Sequence, residues 1–225
     1  MGFATGLTGL YLFENNGNDS FGSNTLVAGG TPAFGASPTP QEGSYQVGPL
    51  DNTNYYTVPA GVLTPMTSAG RVEFYAQTPS VSAYGSCFTI TNTAWASAGR
   101  YLIFRLDGSD SKFRLQYTKP TDTSIASTGT WAINTWYHIA IAWTAGTIKM
   151  YVDNSEVATA ADTLDLGTPT GARWGWHVVA GSNASVYVDE AAFYSAYSTG
   201  PFPTDHVFSS GSAQPTWFMR RRRGR

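Results

Sequence analysis

Residues 136–153 read WYHIAIAWTAGTIKMYVD. Tyr137, Ile139, Ile141 and Trp143 alternate with Trp136, His138, Ala140 and Ala142, the period-2 pattern of a strand. Thr144-Ala145-Gly146 supplies a short turn in which Gly146 is free to take positive φ. Ile148, Met150 and Val152 then alternate with Thr147, Lys149 and Tyr151, so a second strand runs back. A hairpin this apolar is not stable alone. It belongs inside a sheet that packs on another.

Read on to Thr159, the stretch WYHIAIAWTAGTIKMYVDNSEVAT resembles the W-Y-H-h-A…G-x-h-x-h-Y-V-D-G-x-x-V hairpin of laminin G-like domains, within the concanavalin A-like lectin and glucanase superfamily. Asn154 departs from the usual Gly, and Asn is the next residue most tolerant of a left-handed turn. Two further motifs are similar to the family's. GLYLFENNGNDSFGSNTL (9–26) matches its opening and VYVDEAAFYSAYS (186–198) its closing Asp-Glu motif. The resemblance spans residues 6–197 and implies an all-β fold, an antiparallel jelly-roll β-sandwich of concanavalin A-like, laminin G-like type.

Strands are expected at 9–14, 45–47, 55–58, 71–77, 87–91, 101–106, 113–117, 173–179 and 185–194 besides the hairpin, with no amphipathic helix. The 29–43 segment, rich in Gly, Pro, Thr and Ser, reads as irregular. From Gly200 the character changes to GPFPTDHVFSSGSAQPTWFMRRRRGR. The expected organisation is therefore a sandwich over 1–199 and an extension over 200–225.

Only 12% of the 225 residues are charged and 14% are aromatic, enough apolar matter to exclude disorder. The one cysteine, Cys87, rules out a disulfide framework and reads as a small buried strand residue. The first residues show neither a leader peptide nor a lipidation signal, so synthesis in a cytoplasm is expected. Charge is unevenly placed: of 13 basic residues, Arg220, Arg221, Arg222, Arg223 and Arg225 close the chain, leaving 13 − 5 = 8 against 15 acidic ones.

Catalysis finds little support. The glucanases of the superfamily use paired carboxylates facing one sugar; here Asp189 and Glu190 are adjacent and point to opposite faces of a strand, and Glu73 stands alone. No paired-histidine spacing suggests zinc, and no G-x-S-x-G elbow is present. The chain is expected not to be an enzyme. The resemblance implies a structural calcium ion tying the loop of Asn18, Asp19 and Asn24 to Asp189 and Glu190, oxygen donors that suit a hard cation; the same residues also suit Asx turns. Trp95, Trp131, Trp174 and Trp176 lie in or beside loop-like sequence and are the candidates for carbohydrate binding, or else rim and core packing.

In the extension, Trp217, Phe218 and the five arginines are candidate partner-binding residues, an anchor in another protein's groove, with contact to nucleic acid less favoured and no membrane partner expected. Together these features predict a structural virion protein, made in the host cytoplasm: a capsid decoration, head-fibre or tail component that displays a lectin-like sandwich in a homo-oligomeric assembly with other virion proteins. The alternative is a free carbohydrate-binding lectin module, calcium-dependent or not.

Overall fold

The structure, a computed structural model, describes residues 6–41, 43–80, 84–92, 100–118, 122–164, 166–176 and 184–198. In chain order the strands are β1 (Leu7–Tyr11), β2 (Val27–Gly29), β3 (Phe34–Gly35), β4 (Gln46–Leu50), β5 (Tyr55–Pro59), β6 (Gly70–Ser80), β7 (Tyr84–Thr91) and β8 (Tyr101–Asp107). They continue as β9 (Lys112–Thr118), β10 (Asp122–Thr130), β11 (Tyr137–Thr144), β12 (Thr147–Val152), β13 (Ser155–Ala160), β14 (Gly171–Trp174) and β15 (Ser185–Tyr194). A single helical turn, α1 (Ala60–Leu63), and a 3-10 turn (Thr64–Met66) lie between β5 and β6.

The strands form two antiparallel sheets. Sheet A runs β13-β12-β11-β6-β15-β4-β3, with β1 also paired to β15, and sheet B runs β10-β9-β8-β7-β14-β5-β2. This is the sandwich the alternation predicts. Ala145 and Gly146 make the two-residue turn between the paired Thr144 and Thr147, with Gly146 at φ 78°. The next turn, between paired Val152 and Ser155, puts Asp153 and Asn154 at φ 47° and 64°, so Asn154 does take the left-handed conformation expected of it.

Between the sheets lies one large core. Ile139, Ile141 and Trp143 meet Val72, Phe74, Phe88, Phe104 and Phe193, all almost fully buried. Aromatic contact runs through its middle: Phe74 to Phe88 at 5.2 Å, Phe88 to Trp174 at 5.3 Å and Phe13 to Trp174 at 5.8 Å between ring centroids. Cys87 is buried in it, and burial pushes its thiol up to about 12.

The first strand ends at Tyr11 instead of residue 14, because Phe13 turns to φ 52°. The strand expected over 173–179 is Gly171–Trp174, stopped where Gly175 takes φ 71°. Strands β2, β3, β10 and β13 carry no strong alternation and were not expected; they are the four outermost strands of the two sheets.

Candidate functional site

On sheet A the outward residues of β6 are Arg71, Glu73, Tyr75 and Gln77. Strand register sets Glu73 between Ala140 and Ala192, Arg71 between Ala142 and Tyr194, and Tyr75 between His138 and Asp189. The alanines leave a hollow and the taller neighbours close it, so Glu73 is 0% and His138 2% exposed. Arg71 contacts the Glu73 carboxylate, donates to the Ser198 hydroxyl and lies 3.8 Å over the Tyr194 ring. His138 Nε2 is 3.7 Å from Glu73 Oε2, and its ring is 5.0 Å from that of Tyr75. The chain leaving β15 thus crosses this face.

Burial pushes the Glu73 carboxyl up to about 7 although Arg71 acts the other way, and burial with the Arg71 charge pulls His138 down to about 4. A carboxyl near neutrality suits proton transfer. Glu73 has no exposed surface, however, and a sugar chain does not reach it in this arrangement.

The oxygen donors proposed for calcium separate into two loop closures. Asp19 Oδ1 accepts from the backbone N–H of Leu10 (3.1 Å) and Phe21 (2.9 Å), and Oδ2 from that of Asn24 (3.3 Å). Asn18 N–H donates to Asn16 Oδ1 at 2.9 Å. Asp189 Oδ2 instead accepts from Gln41 N–H at 2.8 Å, so it ties the β3–β4 loop and not the loop of Asn18 to Asn24. Its other oxygen accepts from Glu190 N–H at 2.9 Å in a bulge where Glu190 takes φ 38°. Among the described residues no three His, Cys, Asp or Glu side chains converge as metal ligands. Asp19 and Asp189 thus serve as acceptors for backbone N–H groups that close these loops.

The tryptophans also separate. Trp174 is fully buried, packed among Phe13, Phe74, Phe88 and Phe193; that corrects its assignment to a sugar surface, since β14 alternation turns it inward. Trp131 is half-buried and packs against the same core, with its backbone N–H donating to Ser111 O at 3.0 Å. Trp95, Trp217, Phe218 and Arg220, Arg221, Arg222, Arg223 and Arg225 lie outside the described residues.

Trp176 is the exception. Gly175, whose Cβ position would lie 2.3 Å from Leu50 O, turns the chain onto the outer face of sheet B. There Trp176 packs on Tyr101 and Ile103, and Thr89 Oγ1 donates to its carbonyl at 2.5 Å. Beside it Arg173, outward on β14, donates from Nε to Thr57 Oγ1 at 2.9 Å. Its guanidinium lies 4.1 Å from the Tyr55 ring centroid and 5.7 Å from that of Trp176. One strand further on, Gln116 Nε2 donates to the Tyr101 hydroxyl at 3.2 Å. Tyr55, Thr57, Arg173, Trp176 and Gln116 each keep part of their surface in water. Arg173 and Tyr55 were not foreseen as site residues; only the outward register of β5 and β14, invisible in one sequence, brings them together.

A family model described as the concanavalin A-like lectin/glucanases superfamily matches residues 50–201, two thirds of the chain. The chain belongs to the concanavalin A-like lectin/glucanase superfamily. No curated protein matches this superfamily member. Solved structures do, at identities that show the fold alone. Domain 4 of AbnA, a GH43 extracellular arabinanase from Geobacillus stearothermophilus in complex with arabinotriose, shares 15% identity at a TM-score of 0.66, over 87% of this chain and 95% of that one. The binding domain of botulinum neurotoxin serotype G shares 13% (TM-score 0.62), over 85% of this chain and 48% of that one. Trypanosoma rangeli sialidase in complex with the inhibitor DANA shares 12% (TM-score 0.64), over 84% and 30%. The lectin-like sandwich is thus common to a sugar-bound domain, a toxin binding domain and part of a sialidase.

Proposed function

We propose that this chain is a carbohydrate-binding module that holds glycans on the outer face of sheet B and does not turn them over. The observation that carries this is Arg173 set against two aromatic rings, 4.1 Å from the Tyr55 centroid and 5.7 Å from that of Trp176. Rings offer a flat apolar surface to the C–H face of a sugar, while Arg173, Thr57 and Gln116 offer hydrogen bonds to its hydroxyls. The arabinotriose bound to domain 4 of AbnA supports the reading at the level of fold. A glycan array with the full chain tests it: binding is expected, and Trp176→Ala is expected to weaken it at least tenfold. An array without signal, from folded protein, removes the reading.

The narrower reading, display on a viral particle through residues 200–225, is carried by the extension's sequence: proline-spaced aromatics followed by five arginines. It is compatible with glycan binding. Co-sedimentation with particles by the full chain, and not by a chain ending at Gly200, is its expected outcome; equal behaviour of the two removes it.

A further inference from the structure

Charge is divided unevenly between the two outer faces. Ahead of residue 220 the chain carries 13 − 5 = 8 basic against 15 acidic residues, an acidic body. Four of the eight, Arg105, Lys112, Arg114 and Arg173, nevertheless stand on strands of sheet B, at positions that alternate with core residues such as Phe104, Phe113, Leu115 and Trp174. Strands β2, β5, β14 and β7 contain no Asp or Glu. Among the described residues the acids on strands of sheet B are Asp107 and Asp122, and Asp51 lies between β4 and β5 beside Gly175; Asp107 and Asp110 accept from Arg114 at 2.6 and 2.5 Å. The strands of sheet B, with four basic residues against two acidic ones, are therefore the more basic side of an acidic molecule.

That distribution selects among sugars. A guanidinium hydrogen-bonds neutral hydroxyls as well, but only a carboxylate matches its fork bidentately and with opposite charge. Arg173 is also pre-positioned: Thr57 holds its Nε and the Tyr55 ring lies 4.1 Å from its guanidinium, so little rotamer freedom is lost when an anion arrives. Resting on the glycan-binding reading above, we infer that the sheet B face is selective for acidic glycans, those bearing a carboxylated sugar of the uronic or sialic acid type. The carboxylate pairs with Arg173, the sugar's apolar face covers Trp176, and Arg105 raises the local potential that draws the anion in.

The test takes the full chain through an array holding neutral, carboxylated and sulfated glycans, then titrates the best carboxylated one against its methyl ester. Expected are hits concentrated among carboxylated sugars and at least tenfold weaker binding of the ester. The acid's affinity should fall severalfold as salt rises from low to physiological strength, and the ester's should not. Arg173→Gln should erase the preference for acid over ester, and Arg173→Lys, which keeps the charge but not the fork, should reduce it. Trp176→Ala should weaken both forms alike, and near-unchanged melting temperatures show that each variant folds. Hits confined to neutral or to sulfated glycans, or equal affinity for acid and ester, overturn the inference and leave glycan binding standing. No hit of any kind defeats glycan binding itself.

Discussion

On sheet A the outward row Arg71, Glu73 and Tyr75 is closed beneath neighbouring side chains and the chain leaving β15; on sheet B the outward group Tyr55, Arg173 and Trp176 stays partly in water. Both faces hold an arginine against aromatic rings, Arg71 over Tyr194 at 3.8 Å and Arg173 over Tyr55 at 4.1 Å. The difference is what each guanidinium meets besides the ring. Arg71 meets a buried carboxylate, and the pair's charge is spent inside the protein. Arg173 donates to a threonine hydroxyl on a face where it is only half-buried. The same residue type is thus buried on one face and half-exposed on the other.

The contrast breaks most sharply at Arg71. Truncating one partner of a buried ion pair leaves the other charge uncompensated, so Arg71→Ala is expected to cost about 3–5 kcal/mol, read by urea unfolding. Arg173→Ala, on the half-exposed face, should cost under ~1.5 kcal/mol by the same measurement. Equal costs would mean that both faces are structural.

Asp19 sharpens the comparison between polar burial and ligand binding. Its carboxylate accepts from three backbone N–H groups, of Leu10, Phe21 and Asn24. Asp19→Ala should cost about 2–3 kcal/mol through the stranded donors. The loss should be the same in millimolar calcium and in EDTA. A loss that calcium changes would instead give this loop an ion to hold.

How much of this was legible beforehand follows from where each residue sits. The hairpin of 136–153 and the closing strand 185–194 read correctly because central strands must alternate to bury one face. The four unforeseen strands are the sheet edges, where half the neighbours are missing. Segments such as SEVATA of β13 carry little apolar weight, and pairing alone holds them. Among the tryptophans, Trp174 and Trp176 look alike in sequence, two residues apart across a glycine. Their fates diverge because Gly175 takes φ 71°, leaving Trp174 in the core and sending Trp176 onto the outer face. Nor does spacing join Arg173 to Tyr55, 118 residues earlier, or reveal that Glu73 lies under Arg71 and Tyr194.

A pH dependence isolates the covered face. Glu73 titrates at about 7 in the fold against an ordinary 4.5, so between those values the folded state holds more protons than the unfolded state, and stability falls as pH rises. His138 titrates at about 4 against an ordinary 6.5; between those values the unfolded state holds more protons, and stability rises with pH. Across pH 4.5–6.5 the two contributions oppose each other and the wild-type profile is flattened. Glu73→Gln removes one of them. Relative to wild type, the variant's unfolding free energy should then climb with pH, by up to ~1.4 kcal/mol per unit, and level off above about 7. Taking the difference cancels every group common to both proteins, including Asp107, whose carboxyl hydrogen bonds from Ser109 and Arg114 hold low. A difference independent of pH would mean that Glu73 titrates like a surface carboxylate, and the two faces would then differ in shape alone.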